Sequence, residues 1–230
     1  MTHRIERWAR ALGLILLCGC QTLPNDVESV HRFTGALGAA WTGDLQEPRT
    51  SKTNAAVDPW AFAWQLGYEY VPVGQDGPVE FGLALDFSSA VGDVDSSRTS
   101  AGFLVSEEGG SMTWNRFTPG VTARFPVGSQ DLLSRSLVAS AGVGYYGIEV
   151  EATQSSVIFP VVGSRELFDD EGFGGFVGLG YESMVPGRGG VFVEAEVHFF
   201  DFDPGPQYPS GTGAVRGPLV TLWMGFVAAF

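Results

Sequence analysis

The sequence predicts an all-β fold, an eight-stranded antiparallel up-and-down transmembrane β-barrel, on three observations. Eight segments alternate with period two, with large apolar side chains on one face and small or charged ones on the other. The connections between these segments are alternately short and long. No apolar run is long enough to cross a bilayer as a helix.

Taken in order, the large face of the first segment holds Phe33, Gly35, Leu37, Ala39 and Trp41. The second holds Trp60, Phe62, Trp64, Leu66, Tyr68 and Tyr70, and the third Val79, Phe81, Leu83, Leu85 and Phe87. The fourth runs from Phe117 through Val121 to Phe125, and the fifth from Leu137 through Ala141 to Tyr145. Phe173, Val177 and Tyr181 mark the sixth, Val191, Ala195 and Phe199 the seventh. The last is the C-terminal run Val220, Leu222, Met224, Phe226 and Ala228. A segment of about ten residues, rising ~3.3 Å per residue at a ~45° tilt, spans the apolar band of an outer membrane.

The opposite faces carry glycine, alanine, serine and threonine with a few charges. Small side chains suit the narrow interior of an eight-stranded barrel, which has room for side chains and none for a wide channel. The large face then meets lipid. Its aromatic residues gather at two levels around an aliphatic belt, as two membrane interfaces favour. Trp41, Trp60, Phe62, Phe87, Phe117, Tyr145, Phe173 and Phe199 form one level, and Phe33, Tyr68, Tyr70, Phe81, Phe125, Tyr181 and Phe230 the other, with Trp64 nearer the middle.

Val71–Pro78, Pro126–Ser136 and Pro186–Gly190 are the short connections, and Gly43–Pro59, Ser88–Arg116, Ile148–Gly172 and Phe200–Gly217 the long ones. Short turns face the periplasm and long loops the exterior in this class, so four long extracellular loops are expected.

The first twenty residues read as an export signal, with Arg4, Arg7 and Arg10 ahead of a short apolar core from Ala11 to Leu17. The sequence Leu17-Cys18-Gly19-Cys20 resembles the lipobox of bacterial lipoproteins, which implies acylation at Cys20. An ordinary secretory signal with two incidental cysteines is the alternative. The reading divides the chain into a signal peptide (1–20), a polar periplasmic tether (21–32) and the barrel (33–230). At the other end, Phe230 with Gly225 five residues before it and Phe226 between resembles the C-terminal recognition signal of outer-membrane barrels.

As a whole, residues 33–230 resemble the small eight-stranded outer-membrane barrel family. The resemblance rests on pattern, strand number and the C-terminal signal. It implies residence in the outer membrane, contact with its lipid and lipopolysaccharide, and handling by the barrel-assembly machinery. Function varies within such barrels and must be argued from the site.

The inward face is expected to hold a polar network of Glu69, Glu80, Asp86, Arg116, Arg124, Glu182, Glu194, Glu196 and His198. Glu80 with Arg124 and Asp86 with Arg116 fit one antiparallel register, one pair direct and the other diagonal. Arg124 is expected to contact Glu80, with Glu69 close by. This network would plug and stiffen the barrel; a cation path or small gated channel is the alternative.

A net charge of −13 argues against a nucleic-acid partner. No cofactor is expected, and no metal site: Cys18 and Cys20 are the only cysteines, and His198 has no second histidine beside it. Lipid A-modifying barrels of the deacylase type place a serine two residues after the catalytic histidine, on the lipid side; here that position is Phe200. A non-enzymatic structural or surface-interaction barrel is therefore the leading expectation, its loops meeting any extracellular ligand. A lipid A-modifying enzyme is the alternative, and a periplasmic lipocalin-like carrier would require the large side chains inside.

Overall fold

The computed structural model describes residues 29–41, 54–72, 78–100, 105–130, 133–156, 162–185, 189–202, 215–216 and 218–229. These form strands β1 (Ser29–Trp41), β2 (Asn54–Pro72), β3 (Glu80–Ser100), β4 (Val105–Gln130), β5 (Leu133–Ser156), β6 (Val162–Val185), β7 (Gly189–Phe202), β8 (Val215–Arg216) and β9 (Leu219–Ala229). Each strand from β1 to β7 pairs antiparallel with the next, β7 pairs with β9, and β9 returns to β1. The two-residue β8 only extends the end of β7, so eight strands make the closed wall.

Closure joins Arg32 to Ala229 at one end of the β1–β9 seam and Trp41 to Val220 at the other. A closed sheet has no free edge over the height where all eight strands pair, so its backbone N–H and C=O groups there find partners within the wall. That is the condition for placing β structure in hydrocarbon. The outside meets the condition for lipid. Leu83 (61 % exposed), Val121 (54 %), Val177 (51 %) and Met224 (71 %) all point outward from the belt. Phe87, Phe117, Tyr145 and Phe173 are successive cross-strand partners, forming a continuous aromatic row across β3 to β6 at the extracellular level. Phe33 faces Tyr68 at the periplasmic level, with ring centroids 5.2 Å apart. Trp64 lies near mid-height, half-buried against Phe87 at 5.3 Å.

The strands differ from the expected ones at both ends. β1 begins at Ser29, so residues 29–32 of the expected tether are wall, and Arg32 turns inward. Two of the expected long loops are largely strand: β3 and β4 continue pairing out to Ser100↔Val105, and β5 and β6 out to Ser155↔Val162. Large apolar side chains stop where lipid stops, but ladder pairing does not need them. Serine, threonine and valine in these stretches remain compatible with strand on a wetted surface. Four of the five register shifts, Val57/Ala61, Asp93/Ser97, Glu107/Gly110 and Val150/Glu151, lie on the extracellular side of the aromatic row, and the fifth, Pro126/Gly128, lies at the other rim. Bulges at barrel rims re-aim strands in this way.

The seam itself is tight. A Cβ on Gly38 would meet the Leu222 carbonyl and come within 2.6 Å of the Trp223 ring, which lies inside the barrel against this glycine. Leu37, one residue earlier, points outward at 60 % exposure. Gly38→Leu is expected to destabilise the lipid-embedded barrel by ~1–3 kcal/mol or more through overpacking. Urea unfolding followed by gel mobility measures it, and Leu37→Ala serves as the comparison. A smaller loss for Gly38→Leu than for Leu37→Ala would contradict the seam geometry.

Candidate functional site in the barrel lumen

Alternation brings the inward side chains into layers, because residues paired across strands lie at one height. The periplasmic layer is built on Arg124 of β4 and Arg32 of β1. Arg124 faces Glu69 as a fork: Nη1 donates to Oε1 at 2.6 Å, and Nη2 donates to Oε2. The Thr122 hydroxyl also donates to Glu69. Arg32 donates from Nη1 to Glu182 at 3.0 Å and from Nη2 to Glu80 at 3.4 Å. Arg124 Nε lies 3.5 Å from Glu182, tying the two halves into one lattice.

The expected register is present: Glu80 stands directly opposite Arg124. The expected side-chain contact is not. Arg124 bends towards β2 and pairs with Glu69, while Glu80, nearly half exposed at the barrel end, takes Arg32. The reason is steric as well as electrostatic. A Cβ on Gly82 would collide with the Glu69 carboxylate, so the missing side chain is what lets Glu69 cross β3 to reach Arg124. Arg32 is not expected in the lumen from the apolar pattern, because that pattern begins at Phe33 while the strand begins at Ser29. It shares the parity of Thr34 and Ala36, which is the inward face.

The second layer lies towards the extracellular side and is drier. Arg116 is fully buried between its cross-strand neighbours Ser88 and Tyr146. Its Nε donates to Ser88 Oγ at 3.0 Å, and Nη1 lies 3.0 Å from Glu196 Oε2. Its guanidinium also covers the Phe176 ring at 4.5 Å, an attraction strengthened by the absence of water. Glu196 accepts from Trp223 Nε1 at 2.7 Å and from the Thr221 hydroxyl at 3.3 Å. His198 shares hydrogen bonds with Thr221 (2.9 Å) and Arg116 (3.3 Å).

Above this layer the interior is aromatic. Trp114, Tyr146 and His198 are completely buried, with Trp114 edge-on to His198 at 5.1 Å. Phe200 and Phe202 stack on the same cluster, which includes Met112 and Ile148. The expectation of small residues inside is thus corrected for this half. Trp114, Tyr146 and Trp223 share inward parity, but Trp114 and Tyr146 lie just beyond the apolar segments 117–125 and 137–145. Glycines accommodate the rings: a Cβ on Gly174 would sit 2.8 Å from Tyr146, and one on Gly142 would strike Phe176.

Between the layers lies a cavity of about 60 Å³, bordered by Gln65, Asp86, Ser140 and Glu194. Glu69 and Arg124 border it on the periplasmic side and Glu196 on the other. Asp86 is opposite Thr118, diagonal to Arg116. The Ser140 hydroxyl donates to Glu194, and a Cβ on Gly178 would come within 2.6 Å of that carboxylate.

The nine inward polar residues named from the sequence therefore lie in one lumen, divided among two ion-paired layers and the cavity between. Gly225 and Phe226 fall in β9, where Phe226 faces outward with its ring over Gly35. Cys20 and Phe230 lie outside the described residues. No group of His, Cys, Asp and Glu poised to hold a metal ion by itself is found among the described residues.

No protein-family model matches this chain, and no curated protein does. Solved structures with a similar fold are outer-membrane barrels. OprG of Pseudomonas aeruginosa is 17 % identical with a TM-score of 0.49, covering 89 % of this chain and 97 % of its own. Ail, the attachment invasion locus protein of Yersinia pestis, solved with the heparin analogue sucrose octasulfate, is 15 % identical with a TM-score of 0.40, covering 87 % and 99 %. The translocator domain of the autotransporter NalP of Neisseria meningitidis is 12 % identical with a TM-score of 0.34, covering 99 % and 97 %. Closed antiparallel strands, an apolar outer belt and a polar interior define the class physically: this is a transmembrane barrel of the outer-membrane type.

The Glu69–Arg124 pair gives a direct test of the periplasmic layer. Removing one partner leaves the other charge buried and unpaired, a loss of about 3–5 kcal/mol, whereas replacing both with apolar groups is far less costly. Arg124→Ala is expected to lower urea stability by that order, and Glu69→Leu/Arg124→Met by less than the sum of its single changes. Additive losses in that cycle would show that the two side chains do not interact.

Proposed function

We propose that this protein is a non-enzymatic outer-membrane barrel whose wall and lumen are structural and whose extracellular strand extensions meet partners. The observation that carries this reading is the fully buried set of Arg116, Glu196, His198, Trp114 and Tyr146, whose side chains occupy the lumen at that height. Charge and aromatic bulk together would have to move aside before ions could pass. The paired strands beyond the aromatic row on β3 to β6 supply a broad surface outside the lipid, where binding residues of such scaffolds commonly reside.

The enzymatic alternative has less support. His198 points into the lumen rather than to lipid, and Phe200, two residues on, is buried beside it. The nearest hydroxyl to His198 is that of Thr221, which also donates to Glu196 in the sealed layer. We further propose acylation at Cys20, which would place a lipid anchor in the inner leaflet, close to the periplasmic start of β1. Contact with lipopolysaccharide at the outer aromatic row and delivery by the barrel-assembly machinery through the Gly225, Phe226 and Phe230 signal belong to the same proposal.

Planar-bilayer recording of the purified barrel tests the sealed lumen: no steady conductance is expected. A large steady conductance in the parent protein would replace the structural reading with a channel. Anchoring is tested separately by fatty-acid labelling in cells. Cys20→Ala should lose the label while the barrel still inserts, because eight strands hold the protein without an acyl chain. Labelling that persists in the variant would refute the lipobox.

A further inference from the structure

The cavity between the two lumen layers has a charge imbalance. Glu69 is paired with Arg124, Glu182 and Glu80 with Arg32, and Glu196 with Arg116. Asp86 and Glu194 border the same cavity, and neither makes an ion pair among the described residues. Both are partly buried within the lumen, on the periplasmic side of the aromatic rings. Two carboxylates so placed, with Arg116 and Arg124 nearby but both already paired to other glutamates, are costly to keep.

A second observation is independent of the carboxylates. Gln65 is 5 % exposed and borders the cavity, and its Oε1 has no hydrogen-bond partner. Gln65 is the diagonal cross-strand neighbour of Asp86 on the β2–β3 pair, and only its carbonyl oxygen is left without a partner. A buried carbonyl oxygen is rarely left unsatisfied. What it can accept is a hydrogen or a cation. Ser140 spends its hydrogen on Glu194, so its oxygen lone pairs also remain available on the opposite wall.

These groups are oxygen donors only, two of them anionic, in a space large enough for a cation with a few waters. Such a set suits a hard divalent cation, whose remaining coordination is filled by water. We propose that the lumen cavity binds one hydrated divalent cation, held between Asp86 and Glu194 with the Gln65 carbonyl oxygen as a neutral ligand. The cation neutralises the two unpaired carboxylates and bridges the β2–β3 and β5–β7 walls. Entry is from the periplasmic end, past the half-exposed Glu80, because the other side is shut. This proposal concerns the lumen and not the surface role; conductance reads one and saturable binding the other.

The test uses the refolded full-length barrel in detergent, stripped with chelator, at fixed ionic strength. Binding of Ca²⁺ and of Mg²⁺ is measured by equilibrium dialysis, and the heat-modifiable gel transition is followed across the same titrations and with Na⁺. Expected is saturable uptake of one divalent ion per barrel, with a transition that rises as the site fills and does not respond to Na⁺. Asp86→Asn and Glu194→Gln should each abolish uptake, and Gln65→Leu should weaken it by about 10-fold or more. Glu171→Gln, on the outer surface, should leave it unchanged. Absence of saturable uptake by the parent overturns the proposal whether or not any variant folds. Equal uptake by the parent and both carboxylate variants, or an equal response to Na⁺, overturns it as well.

Discussion

Backbone hydrogen bonding in a medium without water is the constraint on which this structure depends. A strand in lipid must pair on both edges, and the β1–β9 seam is where that requirement is completed. Closing on eight strands fixes a small circumference. The circumference in turn decides what the lumen can hold, which is side chains and little else. The paired charges, the aromatic plug and the small cavity are consequences of this one closure.

Packing inside so narrow a wall works by exchange between neighbours. Wherever a long side chain crosses the interior, the strand it crosses lacks one. Glu69 passes over Gly82, Glu194 over Gly178, Tyr146 over Gly174 and Phe176 over Gly142. The abundance of glycine on the inward face is thus the complement of the bulky and charged residues there. The two arginine layers differ in character for the same reason. The periplasmic one opens to solvent at Glu80, while the Arg116 layer is sealed by rings and hydrogen-bonded on nearly every side.

Much of this was legible from alternation alone. Leu83, Val121 and Val177 outside, Arg124 and Glu196 inside, and the Glu80–Arg124 register all follow from parity and antiparallel pairing. What was not legible has a common physical origin. Lipid-facing hydrophobicity ends at the membrane surface, but strands do not, so Arg32, Trp114 and Tyr146 fell beyond or at the limit of the segments despite carrying the right parity. Partner choice was also hidden. Register places Glu80 before Arg124, yet the space over Gly82 gives Arg124 to Glu69, and no one-dimensional pattern shows which side chain crosses the interior.

The assignment of faces to lipid and lumen is the central claim, and site-directed nitroxides in bilayers read it most directly. With Cys18 and Cys20 replaced by serine, labels at Leu83, Val121 and Val177 should be readily reached by oxygen from the lipid phase and poorly by a water-soluble relaxation agent. Labels at Ser140, Thr122 and Glu196 should be shielded from both. High oxygen access at the second set with shielding of the first would invert the barrel and make this protein a soluble carrier with an apolar interior.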